Sequence, residues 1–315
     1  MEDITSILDL WGLDPNARVS LINVSENLTY RIDRSSEPPL ILRAHRIGYH
    51  SAKAIKSELA WAAALQEDGV IETPSAIPGL NGDILQEQNR QHFVLFEFIQ
   101  GAMPNETDDL VGKFQSLGKI AAATHVHSLG WTRPQGFTRL TWDLDAILGP
   151  KPIWGRWQDA PNVTDDLAAL IGKTADRITS QLLDYGMERS RFGLIHADMR
   201  LANLLVDGED IRLIDFDDCG FGWYMYDFAA AVSFVETDPA LSDWKAAWFK
   251  GYETIRSLTK ADHAIMDSLI MLRRLNLLGW IGSHMEATEP QELAPYFAQD
   301  TADLAEKYLS NTLTR

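Results

Sequence analysis

The sequence predicts a mixed α+β fold in two parts. Up to about residue 99 the chain reads as short strands cut by turn residues, with one helix among them. After Pro104 it changes to long amphipathic helices, interrupted by one hairpin signal near residue 208. The expected lobes are therefore 1–99 and 100–315, and 315 residues suffice for a core in each.

Composition narrows the function classes. A formal net charge of −17 argues against nucleic acid or an anionic membrane as a partner, since both would repel the chain. It suits a cationic substrate, and equally a solvated acidic surface. Cys219 is the only cysteine, so no intrachain disulfide or thiolate zinc site can form, and a small buried packing residue is expected there. The start, Met1-Glu2-Asp3-Ile4, lacks a basic segment followed by an apolar core. The best membrane-span candidate, SLIMLRRLNLLGWIG at 268–282, is broken by Arg273 and Arg274. The cytoplasm is the expected compartment.

Taken in order, Ile4, Leu8 and Leu10-Trp11 give a helical lead-in. Residues 19–23 and 28–31 carry strand character around Ser25-Glu26-Asn27, and a third strand at 40–43 follows Pro38-Pro39. A helix over 51–66 places Ile55, Leu59, Ala62 and Leu65 on one stripe, with Glu58 beside it. Pro74, Pro78-Gly79 and Asn81-Gly82 mark turns before strands at 84–87 and 92–98. Beyond them Leu110, Phe114, Leu117, Ala121 and His125 share one helical face, where His125 is expected to be a satisfied core histidine. Segment 130–157, rich in Trp, Gly and Pro, reads as a structured insertion anchored by Trp142, Trp154 and Trp157. Further helices are expected over 165–188, 261–285 and 290–312.

The stretch LIHADMRLANLLVDGEDIRLIDFDD, residues 194–218, carries the chemistry. Apolar runs at 204–206 and 211–214 flank Asp207-Gly208-Glu209-Asp210, a turn signal whose glycine is free to take positive φ. A hairpin brings its outer ends together. Asn203 enters the first strand and Asp215 leaves the second, so the two should converge, with Asp198 facing the same point. Two oxygen ligands beside a third carboxylate suit a hard cation such as Mg²⁺, completed by water and phosphate oxygens. Asp198 can then accept a proton from an attacking hydroxyl. His196 is read as holding the loop.

His196-Ala197-Asp198, Asn203 and Ile214-Asp215-Phe216-Asp217 together resemble the catalytic signature of the aminoglycoside phosphotransferase and choline kinase family, which shares the protein-kinase fold. The wording is most similar to the branch with homoserine kinase type II and stress-response kinases. The resemblance implies a five-stranded antiparallel N-lobe sheet plus helix, a mainly helical C-lobe, and ATP with Mg²⁺ in the cleft. It implies Asp198 as catalytic base, with Asn203 and Asp215 as metal ligands. Arg43 stands where protein kinases carry a phosphate-binding lysine, and Glu58 is its implied helix partner. Asn27 lies at the phosphate-covering turn, which lacks the family's usual glycines. Glu97 and Ile99 fall at the hinge whose backbone binds adenine, and Asp227 braces the metal loop.

The expected activity is transfer of the γ-phosphoryl group of ATP to a hydroxyl of a small metabolite, foremost a homoserine-like amino alcohol. For the acceptor the chain offers Asp143, Asp145 and Glu286 against Arg273 and Arg274. One arginine is expected to bind an acceptor carboxylate. At least one of the two is expected to be a surface charge, because adjacent helical residues point apart. A protein serine/threonine kinase, an aminoglycoside phosphotransferase and a nucleotide-binding protein without turnover stay open as alternatives, and no oligomeric state is indicated.

Overall fold

Side-chain alternation organises the first part of the chain. In β3 (Leu40–His45) and β6 (Gln91–Glu97) successive residues face opposite sides of the sheet. Leu42, Ala44, Phe93 and Leu95 pack with Ile7, Leu8, Trp11 and Ile32 on one side. Val94 and Phe96 pack with Ile55, Leu59 and Leu85 on the other. Both faces are covered, which is why Phe93 to Phe96 is a continuous apolar run instead of an alternating one. The same alternation turns Arg43, paired in register with Val94, onto the helix side.

The computed structural model describes residues 4–24, 27–104, 110–208 and 210–314. Two compact units result: Met1–Ala102 with Thr132–Arg139, and Met103–Trp131 with Leu140–Arg315. In the first, α1 (Ile4–Leu8) precedes a six-stranded sheet. Its order is β1 (Arg18–Val24), β2 (Asn27–Asp33), β3, β6 and β4 (Ala76–Ile77), with β5 (Gln86–Gln88) also paired to β6. Every pairing is antiparallel. The sixth strand is the two-residue β4, too short to leave a periodic trace in the sequence. Helix α2 (Ala52–Glu67) is capped by Ser51, whose Oγ accepts from Ala54 N at 3.2 Å. The first part of segment 130–157 joins this unit. Thr138 N donates to Ser57 Oγ (3.0 Å) and Arg139 Nη1 to Ala54 O (3.0 Å).

The second unit is mainly helical. It runs α3 (Leu110–Gly130), β7 (Leu140–Trp142), α4 (Leu144–Leu148), α5 (Asp165–Tyr185), β8 (Phe192–Ile195), β9 (Leu204–Asp207), β10 (Asp210–Leu213) and β11 (Gly220–Trp223). Helices α6 (Tyr226–Ala231), α7 (Leu241–Tyr252), α8 (Lys260–Ser283) and α9 (Thr288–Leu309) follow. Backbones of α3 and α7 meet where both carry glycine: a Cβ at Gly251 would lie 1.8 Å from Gln115 O. Helix α8 is buried on every side from Ser268 to Ile281, against α5, α6 and α9. Strand β11 joins β7 in parallel and β8 antiparallel. This small sheet escaped the sequence reading because its strands are short and β11 (GFGW) is half glycine.

Asp227 fixes the loop after β8. Its Oδ1 accepts from Ala197 N (2.7 Å), and its Oδ2 from His196 N (3.2 Å) and His125 Nε2 (2.8 Å). A carboxylate only accepts, so the His125 proton is on Nε2. Nδ1 then accepts from Tyr252 OH (2.9 Å), which itself accepts from Arg256 Nη1 (2.9 Å). His125 is thus the satisfied core histidine its place on α3 suggested. Burial pushes its pKa below the usual value, against the pull of Asp227. His196 is lowered for the same reason.

These two histidines make stability depend on pH. In the unfolded chain both titrate near pH 6.5, whereas the folded state keeps them neutral, so the unfolded state binds more protons as pH falls. Stability is therefore fully present above about pH 6.5 and is lost on acidification, by up to about 1.4 kcal/mol per pH unit for each histidine. Denaturant midpoints measured from pH 7.5 to pH 5 should fall steadily. A flat profile over that window would show that neither histidine is held neutral.

Candidate active site

Strands β9 and β10 pair from Leu204↔Leu213 to Asp207↔Asp210. Gly208 takes φ 64° in the turn, while Glu209 lies outside the described residues. At the open end Ile214 N donates to Asn203 O (3.0 Å), which extends the pairing by one step and brings the neighbours Asn203 and Asp215 to one end of the hairpin. Two residues there hold positive φ without being glycine, Ala197 at 66° and Asp215 at 62°. Such backbone persists only where its surroundings enforce it. For Ala197 the enforcing group is Asp227. His196, fully buried, ties the two loops together: its Nε2–H donates to Ile214 O (3.2 Å) and its Nδ1 accepts from Asp198 N (3.3 Å).

Asp198 is gripped from three directions. Arg273 Nη2 donates to Oδ1 at 2.5 Å, Asn203 Nδ2 to Oδ2 at 2.7 Å, and Arg200 Nε lies 3.5 Å from Oδ2. Burial alone would raise its pKa. The guanidiniums of Arg273 and Arg200 outweigh that and hold the carboxyl below the usual range. Its side chain keeps 14 % exposure, enough for a hydroxyl to reach it.

Asn203 spends Nδ2 on Asp198, through both Oδ2 and the backbone oxygen (2.9 Å), which leaves its Oδ1 as the donor for a cation. Together with the Asp215 carboxylate this is an all-oxygen set, which fits Mg²⁺. Among the described residues no group of three or more His, Cys, Asp or Glu could hold a metal, so a cation here would depend on that amide oxygen and on ligand oxygens.

In the first unit Arg43 Nη1 donates to Glu58 Oε1 at 2.8 Å, and the guanidinium lies 5.2 Å from the centre of the Phe96 ring. Both side chains are buried, so the fork is held in one orientation. Asn27 opens β2 instead of lying in the turn; it is buried and its Oδ1 accepts from Arg46 N (3.2 Å). Its turn neighbours Ser25 and Glu26 lie outside the described residues. Glu97, exposed at the end of β6, donates its N–H to Ser75 O (3.0 Å), which removes that N–H from an adenine contact. Ile99 follows in irregular, half-buried backbone.

The acceptor candidates are redistributed. Arg273 and Arg274 are each only 2 % exposed, so neither is a surface charge. They do point apart, but α8 is buried all round and each side finds a carboxylate. Arg273 serves Asp198 and also donates to Ser233 Oγ (3.0 Å) and Ala197 O (3.3 Å). Arg274 serves Glu236 (2.8 Å) and Thr301 Oγ1 (2.9 Å). Asp143 caps α4, its Oδ1 accepting from Ala146 N (2.9 Å); Asp145 lies in the first turn of α4 and Glu286 is exposed. Trp142, Trp154 and Trp157 are buried anchors; Trp142 Nε1 donates to Asp218 O (2.8 Å) and Trp154 underlies Arg273. Cys219 is buried. Sequence reasoning missed Arg200, Ser233, Phe234 and Glu289, which line a pocket of about 500 Å³. Arg200 was visible two residues after Asp198; Glu289, far along the chain, gave no signal.

The phosphotransferase enzyme family model matches residues 19–262. Amicoumacin kinase of Bacillus subtilis (strain 168) is 24 % identical over 303 residues, covering 90 % of this chain and 86 % of that protein. The solved structure of a microcompartment-associated aminopropanol kinase superposes with a TM-score of 0.90 at 44 % identity, over 99 % of this chain and 98 % of that one. A choline kinase from Cryptosporidium parvum Iowa II shares the fold, with a TM-score of 0.67 at 14 % identity over 99 % and 97 % of the two chains. No helix among the described residues is long and apolar enough to cross a membrane. With a helical unit that grips Asp198, Asn203 and Asp215 as described, and a family match over most of its length, this chain belongs to the phosphotransferase enzyme family of protein-kinase-like fold.

Proposed function

We propose that this chain transfers the γ-phosphoryl group of ATP to the hydroxyl of a small amino alcohol. The observation that carries the reading is Asp198, an accessible carboxylate kept ionised by two arginines and oriented by Asn203. It accepts a hydrogen bond from the acceptor hydroxyl and aims the oxygen at phosphorus. Its depressed pKa makes it a weak base, which suits a loose transition state where the proton leaves late. Arg43, aimed by Glu58, donates to the donor phosphates as a planar fork. When bound, Mg²⁺ supplies charge neutralisation on the phosphoryl group, and Asn203 Oδ1 and Asp215 would hold it.

The finer choice of acceptor rests on the arginines. A homoserine-like acceptor needs a cation for its carboxylate, yet Arg273 and Arg274 are buried and committed to Asp198 and Glu236. An amino alcohol without a carboxylate fits better, in keeping with the similarity to an aminopropanol kinase. An aminoglycoside would want several carboxylates to neutralise its ammonium groups. Glu289 is the single carboxylate among the described residues of the pocket.

ADP release measured across amino alcohols, homoserine, aminoglycosides and a generic protein should be strongest for the simple amino alcohols. Turnover confined to aminoglycosides or protein would sink the reading. Asp198→Asn preserves an acceptor oxygen for Arg273 but cannot take a proton, so turnover should drop by about 10²–10⁴-fold with nucleotide binding retained. Asp215→Ala should weaken Mg²⁺-dependent nucleotide binding as well. Glu58→Gln should raise the KM for ATP and spare that for the acceptor; equal changes in both would point to a general folding defect.

A further inference from the structure

Arg200 links Asp198 to a pocket that Arg200 and Glu289 both line. Arg200 Nε lies 3.5 Å from Asp198 Oδ2, and its Nη1 donates to Glu289 Oε1 at 3.1 Å. Its guanidinium lies 5.8 Å from the centre of the Phe234 ring. Arg200, Ser233, Phe234 and Glu289 line the pocket of about 500 Å³. Glu289 sits in the first turn of α9 with 45 % of its side chain exposed, against 21 % for Arg200. The carboxylate is therefore the more open partner.

One guanidinium thus spans the distance between Asp198, the proposed orienter of the acceptor, and a second carboxylate, Glu289, that lines the pocket. A guanidinium is a planar cation that donates from both ends. A short amino alcohol offers the same two contacts: a hydroxyl that donates to Asp198 and, a few atoms away, an ammonium that donates to a carboxylate. Phe234, held at φ 71°, supplies an apolar wall for the carbon chain and a ring face for the cation.

We propose that Glu289 is the specificity-determining residue for the acceptor's ammonium, and that Arg200 occupies it until the acceptor arrives. This rests on the amino alcohol reading given above. The exchange replaces one cation by another on Glu289, so no carboxylate is left unpaired. A neutral diol of the same size cannot make the exchange: it would have to part an ion pair without replacing the charge. Selection is then against uncharged alcohols as well as for the amine.

The test compares 1-amino-2-propanol with 1,2-propanediol as acceptors. Glu289→Gln, close to isosteric and partly exposed, should raise the KM for the amine by about ten- to a hundredfold, the worth of one charge-assisted contact. The KM for ATP should stay close to wild type, while the kcat/KM for the diol should hold or rise because the ion pair it had to part is gone, so the preference for the amine collapses. Glu289→Asp, which keeps the charge, should recover part of that preference. Equal losses on amine and diol, a raised KM for ATP, or an unchanged preference would overturn the assignment of Glu289 while leaving the amino alcohol reading in place. No turnover of any amino alcohol by the wild-type enzyme would overturn both.

Discussion

The two oxygens of Asp227 accept three hydrogen bonds in a space closed to water, from the backbone of His196 and Ala197 and from the ring of His125. Ala197 needs this. At φ 66° its β-carbon crowds the backbone, and the peptide would relax if its N–H had no acceptor. Relaxation would carry Asp198, the next residue, away from Arg273 and Asn203. Stripping one partner from such a buried ionic cluster costs about 3–5 kcal/mol. Asp227 is fully buried, yet the direction in which Asp198 points depends on it.

A second constraint acts on Asp198 itself. An arginine buried in α8 is expensive unless a carboxylate meets it, and Asp198 is that carboxylate. The pair also lowers basicity, because a carboxylate that Arg273 stabilises is a poor proton acceptor. On the proposed reading the loop supplies position more than basicity, as phosphoryl transfer requires. Arg274 shows the same rule on the other side of the helix. It pairs with Glu236 and lies 3.4 Å from the centre of the Phe297 ring, away from the pocket.

Much of this was legible in the chain because its signals are local. The hairpin after Asn203 follows from two apolar runs and a turn, and helix α2 from its stripe and Ser51. The Arg43–Glu58 pair was legible through the family resemblance, with Glu58 beside the apolar stripe of α2. What stayed hidden is long-range. Nothing in GFGW announces a strand between two others, since its glycines are explained only by the Leu140 carbonyl and the Ile195 side chain that lie against them. Arg273 and Arg274 read as a charged break in an apolar run until α8 is known to be buried all round. A residue's partner 75 positions away has no periodicity to betray it.

The same long-range pairing bears on what the pocket lined by Arg200 and Glu289 can take. Of three arginines near the site, Arg273 and Arg274 are buried and already neutralised. Only Arg200 faces the pocket, and it is held between two carboxylates. Among the described residues the pocket thus has no free cation to offer an acceptor carboxylate without unmaking the arrangement that holds Asp198. It has, in Glu289, a carboxylate whose present partner is exchangeable, since that partner keeps Asp198 when it lets go. On the proposed reading a cationic alcohol therefore meets a site already balanced for one positive charge, whereas an anionic one finds none to spare among the described residues.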